Sequence, residues 1–221
     1  MPEGLINING DSVQILEILF LTTLISLLPS FVVMMTSFTR YIISLSFLRT
    51  AMGTQNTPPN MVLIGIAIFL TLLTMNPVLS QIKTEAYDPY VAEEISGEEF
   101  IEAASVPLKG FMLDNTEPST LRMFCDLAHI DTPEDRDGAM ELPLRLLVPS
   151  FMTCELKKAF VIGFLLYIPF MLIDIVVAST LMSMGMVMLP PAMISTPFKL
   201  LLFISVNGWD LLFASLIQGV N

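Results

Sequence analysis

Histidine is nearly missing from this chain. His129 stands alone among 221 residues, so no multi-histidine metal site can be assembled. Cysteine is scarce as well, and Cys125 and Cys154 have no metal-ligand spacing. The expected state is a pair of lone buried or free thiols, the alternative being a disulfide if both lie outside the cytoplasm. Basic residues are few, 10 against 21 acids for a net charge of -11. That balance argues against nucleic acid or an anionic lipid surface as the main partner, because neither attracts a polyanion. No serine sits in a nucleophile-elbow sequence and no glycine-rich loop precedes a basic residue as a phosphate cradle requires. The residues give no enzyme and no cofactor. From Met1 to Ser12 there are acids but no lysine or arginine, and a secretory signal needs a basic start, so no cleaved signal is expected.

Apolar residues are abundant. They make up 54% of the chain, with a mean hydropathy of +0.73, above the roughly 45–50% of soluble domains. This composition describes a membrane-associated or deeply embedded helical protein. From Ala159 to Phe198 the single charge is Asp174, and such a run exceeds the roughly 20 residues that cross a hydrocarbon core. Pro190 and Pro191 remove two amide donors and push Leu189 out of helical dihedrals, so the helix should stop near Gly185. Methionines occupy every second position at Met182, Met184, Met186 and Met188. A helix scatters side chains at that spacing, whereas an extended loop points them one way. A loop after Gly185 aims at least Met186 and Met188 together; packing between helices is the rival account.

The remaining arms follow from caps and prolines. Asp11 or Ser12 can cap a helix that starts at Val13 and runs to Met35, with a kink at Pro29. Phe38, Tyr41, Leu45, Leu48 and Met52 form a helical stripe, with Arg40 and Arg49 off it. After the turn Gly53 to Asn60, Thr57 as N-cap with Pro58 in the first helical position opens a helix from Met61 to about Ile82. Two further arms, Ala159 to Met188 and Met193 to Ile217, join at the second Pro-Pro bend. The predicted fold is all-α: two long apolar helical hairpins with an acidic helical insertion between them. Its segments are an N-terminal stretch 1–12, a first hairpin 13–82, an acidic region 83–150 and a second hairpin 151–221. The acidic region is cut by prolines at 89, 107, 118, 133, 143 and 149. Arg40 and Arg49 place the first bend inside the cell by the positive-inside rule, the acidic region outside, and the methionine bend back inside.

The chain resembles the FliP/SctR family of type III secretion export-gate subunits. In the first hairpin the likeness rests on Thr39-Arg40, Leu48-Arg49, Gly53-Thr54-Gln55, Thr57-Pro58-Pro59-Asn60 and Leu63-Ile64-Gly65. In the second it rests on Glu155-Leu156-Lys157, Ile162-Gly163-Phe164, Ile168-Pro169-Phe170, Ile173-Asp174, Gly185-Met186, Pro190-Pro191, Pro197-Phe198-Lys199-Leu200 and Gly208-Trp209. The resemblance covers nearly everything after the first dozen residues. It implies a homo-oligomeric ring of five copies, joined by FliQ-like and FliR-like subunits into a helical funnel that admits unfolded export substrates. The implied place is the bacterial inner membrane, in the flagellar basal body, with apolar hairpins buried against other subunits. It further implies a pore gasket of Met186, Val187 and Met188, and subunit contacts through Phe111, Phe124 and Glu155; for the two phenylalanines a small local core is the other reading.

Three positions depart from the family pattern. Val187 interrupts what is often a run of three methionines, which stiffens the seal; a signal peptide is often present; and Asn207 stands where aspartate often precedes Gly208-Trp209. Taking Pro190-Pro191 as the hairpin centre sets Asp174 level with Asn207, so Asp174 and Asn207 are the expected buried polar residues, Asp174 sharing a hydrogen bond with Asn207 or with a backbone group, and Lys199 a poorer partner. Two other classes stand beside the export gate. A proton-coupled transporter would use Asp174 with Lys199, and an intramembrane aspartyl protease would need Asp174 and Asp210 to share a proton.

Overall fold

A computed structural model describes residues 5–8, 11–186 and 188–220 and divides the chain into two compact units, Met1–Met34 and Met35–Asn221. In the first unit, strand β1 (Leu5–Ile8) pairs antiparallel with β2 (Asp11–Gln14), Leu5 opposite Gln14. Helix α1 (Ile15–Met34) follows and continues through Pro29. The cap expected at Asp11 or Ser12 is therefore corrected: both lie in a strand. The signal that decides this is Asn9-Gly10 in the sequence, a favoured two-residue hairpin dipeptide.

The second unit is helical throughout the described residues. Helices α2 (Phe38–Met52) and α3 (Asn60–Ile82) run antiparallel, since Ser37 bonds Thr74 at one end (2.9 Å) and Arg49 bonds Asn60 at the other (2.5 Å). The cap of α3 is Pro59 rather than Thr57. Each proline holds the residue before it extended, so Pro58 cannot join a helix while Pro59 follows it. Past Ile82 the chain continues through a π-helical turn, Lys83–Tyr87, into α4 (Asp88–Val91). Helix α5 (Gly97–Asp114) opens on a reciprocal capping box of Ser96 and Glu99. Then come α6 (Pro118–Leu127), α7 (Arg136–Glu141) and α8 (Leu144–Ser183), forty residues long. Helix α8 passes Pro149 and Pro169 without ending, because Leu146, Leu147, Ser150 and Phe151 bury the turn around the first proline. The returning arm is not one helix but two, α9 (Pro191–Ser205) and α10 (Gly208–Gln218), bent by 66°. Asn207 sits in the break with φ 51° and ψ 48°, a left-handed conformation that asparagine tolerates better than most residues.

The apolar stripe of α2 behaves as read. Tyr41, Leu45, Leu48 and Met52 are buried against Leu63, Ala67 and Leu70 of α3 and against Phe170, Phe203, Leu212 and Leu216. Helices α2 and α8 approach closely where Gly163 lies under Phe47: a Cβ there would stand 2.5 Å from the ring. A second core joins Met75 and Val78 to Phe111, Met112, Leu147 and Phe151.

Arg40 is the exception to the stripe. It was expected on the polar side of α2, but only 1% of its side chain is exposed. Its Nε donates to Glu155 Oε2 at 2.7 Å, its Nη2 pairs with Glu155 Oε1 and reaches Asn115 Oδ1 at 3.2 Å, and its Nη1 donates to the Gly219 carbonyl. One guanidinium thus ties α2 to α8, to the C-cap of α5 and to the end of α10. Lys158 adds a bond to the Asn115 carbonyl, 3.0 Å. Arg40 therefore drops out of the positive-inside argument, which leaves Arg49 at the first bend.

Two predictions follow from these contacts. Glu155→Leu strands the buried Arg40 cation and should cost about 3–5 kcal/mol, seen as a lower melting temperature in detergent; Arg40→Met should cost less, because the Lys158 ammonium stands 3.8 Å from Glu155 Oε1. The double replacement should recover part of that loss; a double variant that loses the sum of both would show the pair itself contributes nothing. At the capping box, the Ser96 amide and hydroxyl hold the Glu99 carboxyl below its usual value of 4.5. Its folded value is depressed, so its contribution is present above 4.5 and fades as pH falls through the lowered value. Amide exchange in the first turn of α5 should speed up on acidification, once intrinsic exchange is corrected for, and Glu99→Gln should flatten that dependence.

Candidate functional site at the methionine bend

Helix α8 ends in a defined way. Gly185 takes φ +76°, its N–H donates to the Met182 carbonyl and the Met186 N–H donates to Leu181, both at 3.0 Å. This is a Schellman closure, and glycine supplies the left-handed residue at no steric cost. Beyond it the chain leaves the helix until Pro190 caps α9 and Pro191 fills its first position, where a missing N–H costs nothing. The helix stop expected near Gly185 is met. Around these two devices lies an apolar tip: Met186 and Leu189 between them, and Met182, Met184 and Met193 beside them, are exposed, and Met188 is 98% exposed. Val187, the third residue assigned to the gasket, lies outside the described residues.

A polar clasp sits beneath the tip. Lys199 Nζ donates to Asp174 Oδ2 at 2.7 Å and to the Ala51 carbonyl at 3.1 Å, while Ser195 Oγ donates to Asp174 Oδ1 at 2.6 Å. Ser195 and Lys199 are four residues apart and share one face of α9. The clasp joins α8 to α9 and both to the last turn of α2. Lys199 is 7% exposed and Asp174 42%, so the clasp is open on the carboxylate side.

The expected pairing of Asp174 with Asn207 is corrected: Asn207 is exposed in the α9–α10 break, and Asp174 is half-buried beside Lys199. The error lies in the hairpin centre. Counting from Pro190-Pro191 ignores the loop before it; midway between Ser183 and Pro191 is residue 187, which sets 174 level with 200. Of the residues assigned to subunit contacts, Glu155 is spent on Arg40, and Phe111 is buried edge-on to Phe151 with centroids 5.7 Å apart. Phe124 is half-buried against Cys125, Ala139 and Leu142. All three serve the interior of this chain, because the middle region forms a core with α8. Cys125 and Cys154 are buried and unpaired. Sequence reasoning missed Ser195, Asn115 and the role of Arg40, and it ranked Lys199 below Asn207 as the partner of Asp174. For Lys199 the signal was present: a lysine in an apolar helix needs an acid within reach.

These features, a proline-bounded methionine tip above an Asp–Lys clasp, occur within residues 21–216, the stretch that matches the FliP family. The chain belongs to the FliP family. FliP relatives resemble it over nearly its whole length. One from Aquifex aeolicus, named flagellar biosynthetic protein FliP, is 47% identical over 210 residues, covering 95% of this chain and 87% of the relative. Proteins of the same name from Bacillus subtilis and Pectobacterium carotovorum are 49% and 51% identical over 203 residues. Both alignments cover 92% of this chain, with 90% and 78% of the relatives.

The clasp generates a prediction. Asp174→Asn and Asp174→Leu both leave the Lys199 ammonium without a counter-charge; asparagine keeps one oxygen to accept from Ser195 or Lys199 and should lose less than leucine, which keeps none. Because Asp174 is 42% exposed, water softens that loss to about 1–3 kcal/mol, measurable as a lowered melting temperature that Lys199→Met restores. An unshifted melt for Asp174→Leu would show the clasp does not hold the hairpin.

Proposed function

We propose that this chain is a subunit of the flagellar type III export gate. With copies of itself and FliQ-like and FliR-like partners it forms the channel through which unfolded substrates cross the inner membrane. The observation that carries this reading is the tip: flexible thioether side chains, held out of helix by Gly185 and the two prolines and exposed at the end of a forty-residue helix. Methionine has three rotatable bonds and a polarizable sulfur, so a ring of such tips closes on itself and reopens around polypeptide of any sequence. Met186, Val187 and Met188 are one subunit's share of that gasket.

The helices support a membrane assembly. Asn60–Val91 and Leu144–Ser183 are long and apolar enough to cross a bilayer, and the bent pair α9–α10 makes a third span if counted as one. Only 11% of the apolar window in α8 is buried within the chain, so Phe160, Phe164, Leu165, Leu172 and Val176 need lipid or other subunits to cover them. Arg49 at the first bend supports a cytoplasmic place for that bend, with the acidic middle region outside.

A proton-coupled transporter is the second reading, and the Asp174–Lys199 pair, open to solvent on one side, is what favours it. A protease does not fit this arrangement: an acid that shares a proton needs a second carboxyl, and both oxygens of Asp174 are taken by Lys199 and Ser195. The chain itself performs no chemistry on its cargo in this reading. Replacing Met186, Val187 and Met188 by alanine separates the accounts. The gasket reading expects the assembly to form and the cells to leak small ions. If the tip is ordinary packing, assembly should fail instead, and an assembled, ion-tight variant would overturn the gasket.

A further inference from the structure

We propose that the methionine tip is also where oxidants modify this chain, Met186 and Met188 being the targets, and that their oxidation unseals the gate. The accessible sulfur of the described residues is all thioether. Cys125 and Cys154, as thiols the usual first targets, are 0% and 1% exposed. Met52, Met75 and Met112 are equally shielded in the cores. Other exposed methionines, Met34, Met61, Met123 and Met171, occur singly on helices. At the tip five exposed methionines fall between 182 and 193, and two of them lie off the helices, Met188 at 98% exposure and Met186 at 41%.

The chemistry needs a two-electron oxidant, and a peroxide serves. A sulfur lone pair attacks one peroxide oxygen and the O–O bond breaks. The oxygen stays on sulfur as the sulfoxide, and the departing hydroxide takes a proton and leaves as water. Sulfur is oxidised by two electrons and the peroxide reduced by two. A flexible apolar side chain becomes a polar hydrogen-bond acceptor. A ring that closes because thioethers exclude water then carries groups that hold water in the constriction. Methionine sulfoxide reductases reverse the change, so the site can be reset. The consequence for the seal rests on the gasket reading above; the site of modification does not.

The test treats membranes containing the full-length chain with hydrogen peroxide and follows each methionine by peptide mass spectrometry. Met186 and Met188 should both gain oxygen at least about tenfold faster than Met52, Met75 and Met112, and Met188 faster than Met61 and Met171. Equal rates at Met188 and at Met61 or Met171 would overturn the assignment. In parallel, vesicles carrying the assembled gate are assayed for ion leak before peroxide, after it, and after reductase treatment. Leak that rises with Met186 and Met188 sulfoxide and falls on reduction is the expected result. Oxidation without leak, in vesicles where the triple alanine variant does leak, would overturn the unsealing while leaving the gasket standing. A triple alanine variant that stays tight would remove the gasket itself, and the unsealing with it.

Discussion

Arg40 and Glu155 hold each other in the interior, and most of the second unit is arranged so that they can. A guanidinium and a carboxylate removed from water are tolerated only when every donor and acceptor is engaged. Here the engaging groups come from four places in the chain: α2, α8, the Asn115 cap of α5 and the Gly219 carbonyl after α10. The pair adds little net stability compared with an apolar core of equal volume. What it specifies is register, because only one alignment of α2 along α8 brings Arg40 to Glu155 while Phe47 passes over Gly163.

The clasp repeats this logic more weakly at the other end of the hairpin. Lys199 reaches across to Asp174 and to the last turn of α2, so the base of the methionine tip is tied to the helix that carries Arg40. A soft apolar tip is thereby mounted on a polar base. Its side chains are free to change rotamer, while the hydrogen bonds that close α8 at Gly185 and the two prolines that open α9 fix the backbone on either side. A closure that adapts to different polypeptides requires that division between stiff support and pliable contact.

Much of this was legible from residue order. Apolar run lengths gave the two long arms, Gly185 and Pro190-Pro191 gave the bend, and the spacing of Tyr41, Leu45, Leu48 and Met52 gave the buried face of α2. What stayed hidden depended on partners far away in sequence. Arg40 reads as a surface charge until Glu155 is brought to it, and Asp174 meets Lys199 only if the loop before Pro190 is counted as part of the turn. Asn207 looked like a partner because it is polar, yet its use is conformational. The strand at Asp11–Gln14 was announced by Asn9-Gly10 but hidden by the apolar run that follows it.

The arginine hub also bears on how the chain is made. Arg40 emerges from the ribosome with its charge uncompensated, 115 residues ahead of Glu155 and 179 ahead of Gly219. At about 5–20 residues per second, the guanidinium waits roughly ten to forty seconds for its last ligand. During that interval α2 cannot be laid away in a dry environment, neither lipid nor core, without stranding a cation. The helix that carries Arg40 therefore keeps its guanidinium in water until Glu155 and Gly219 have been made.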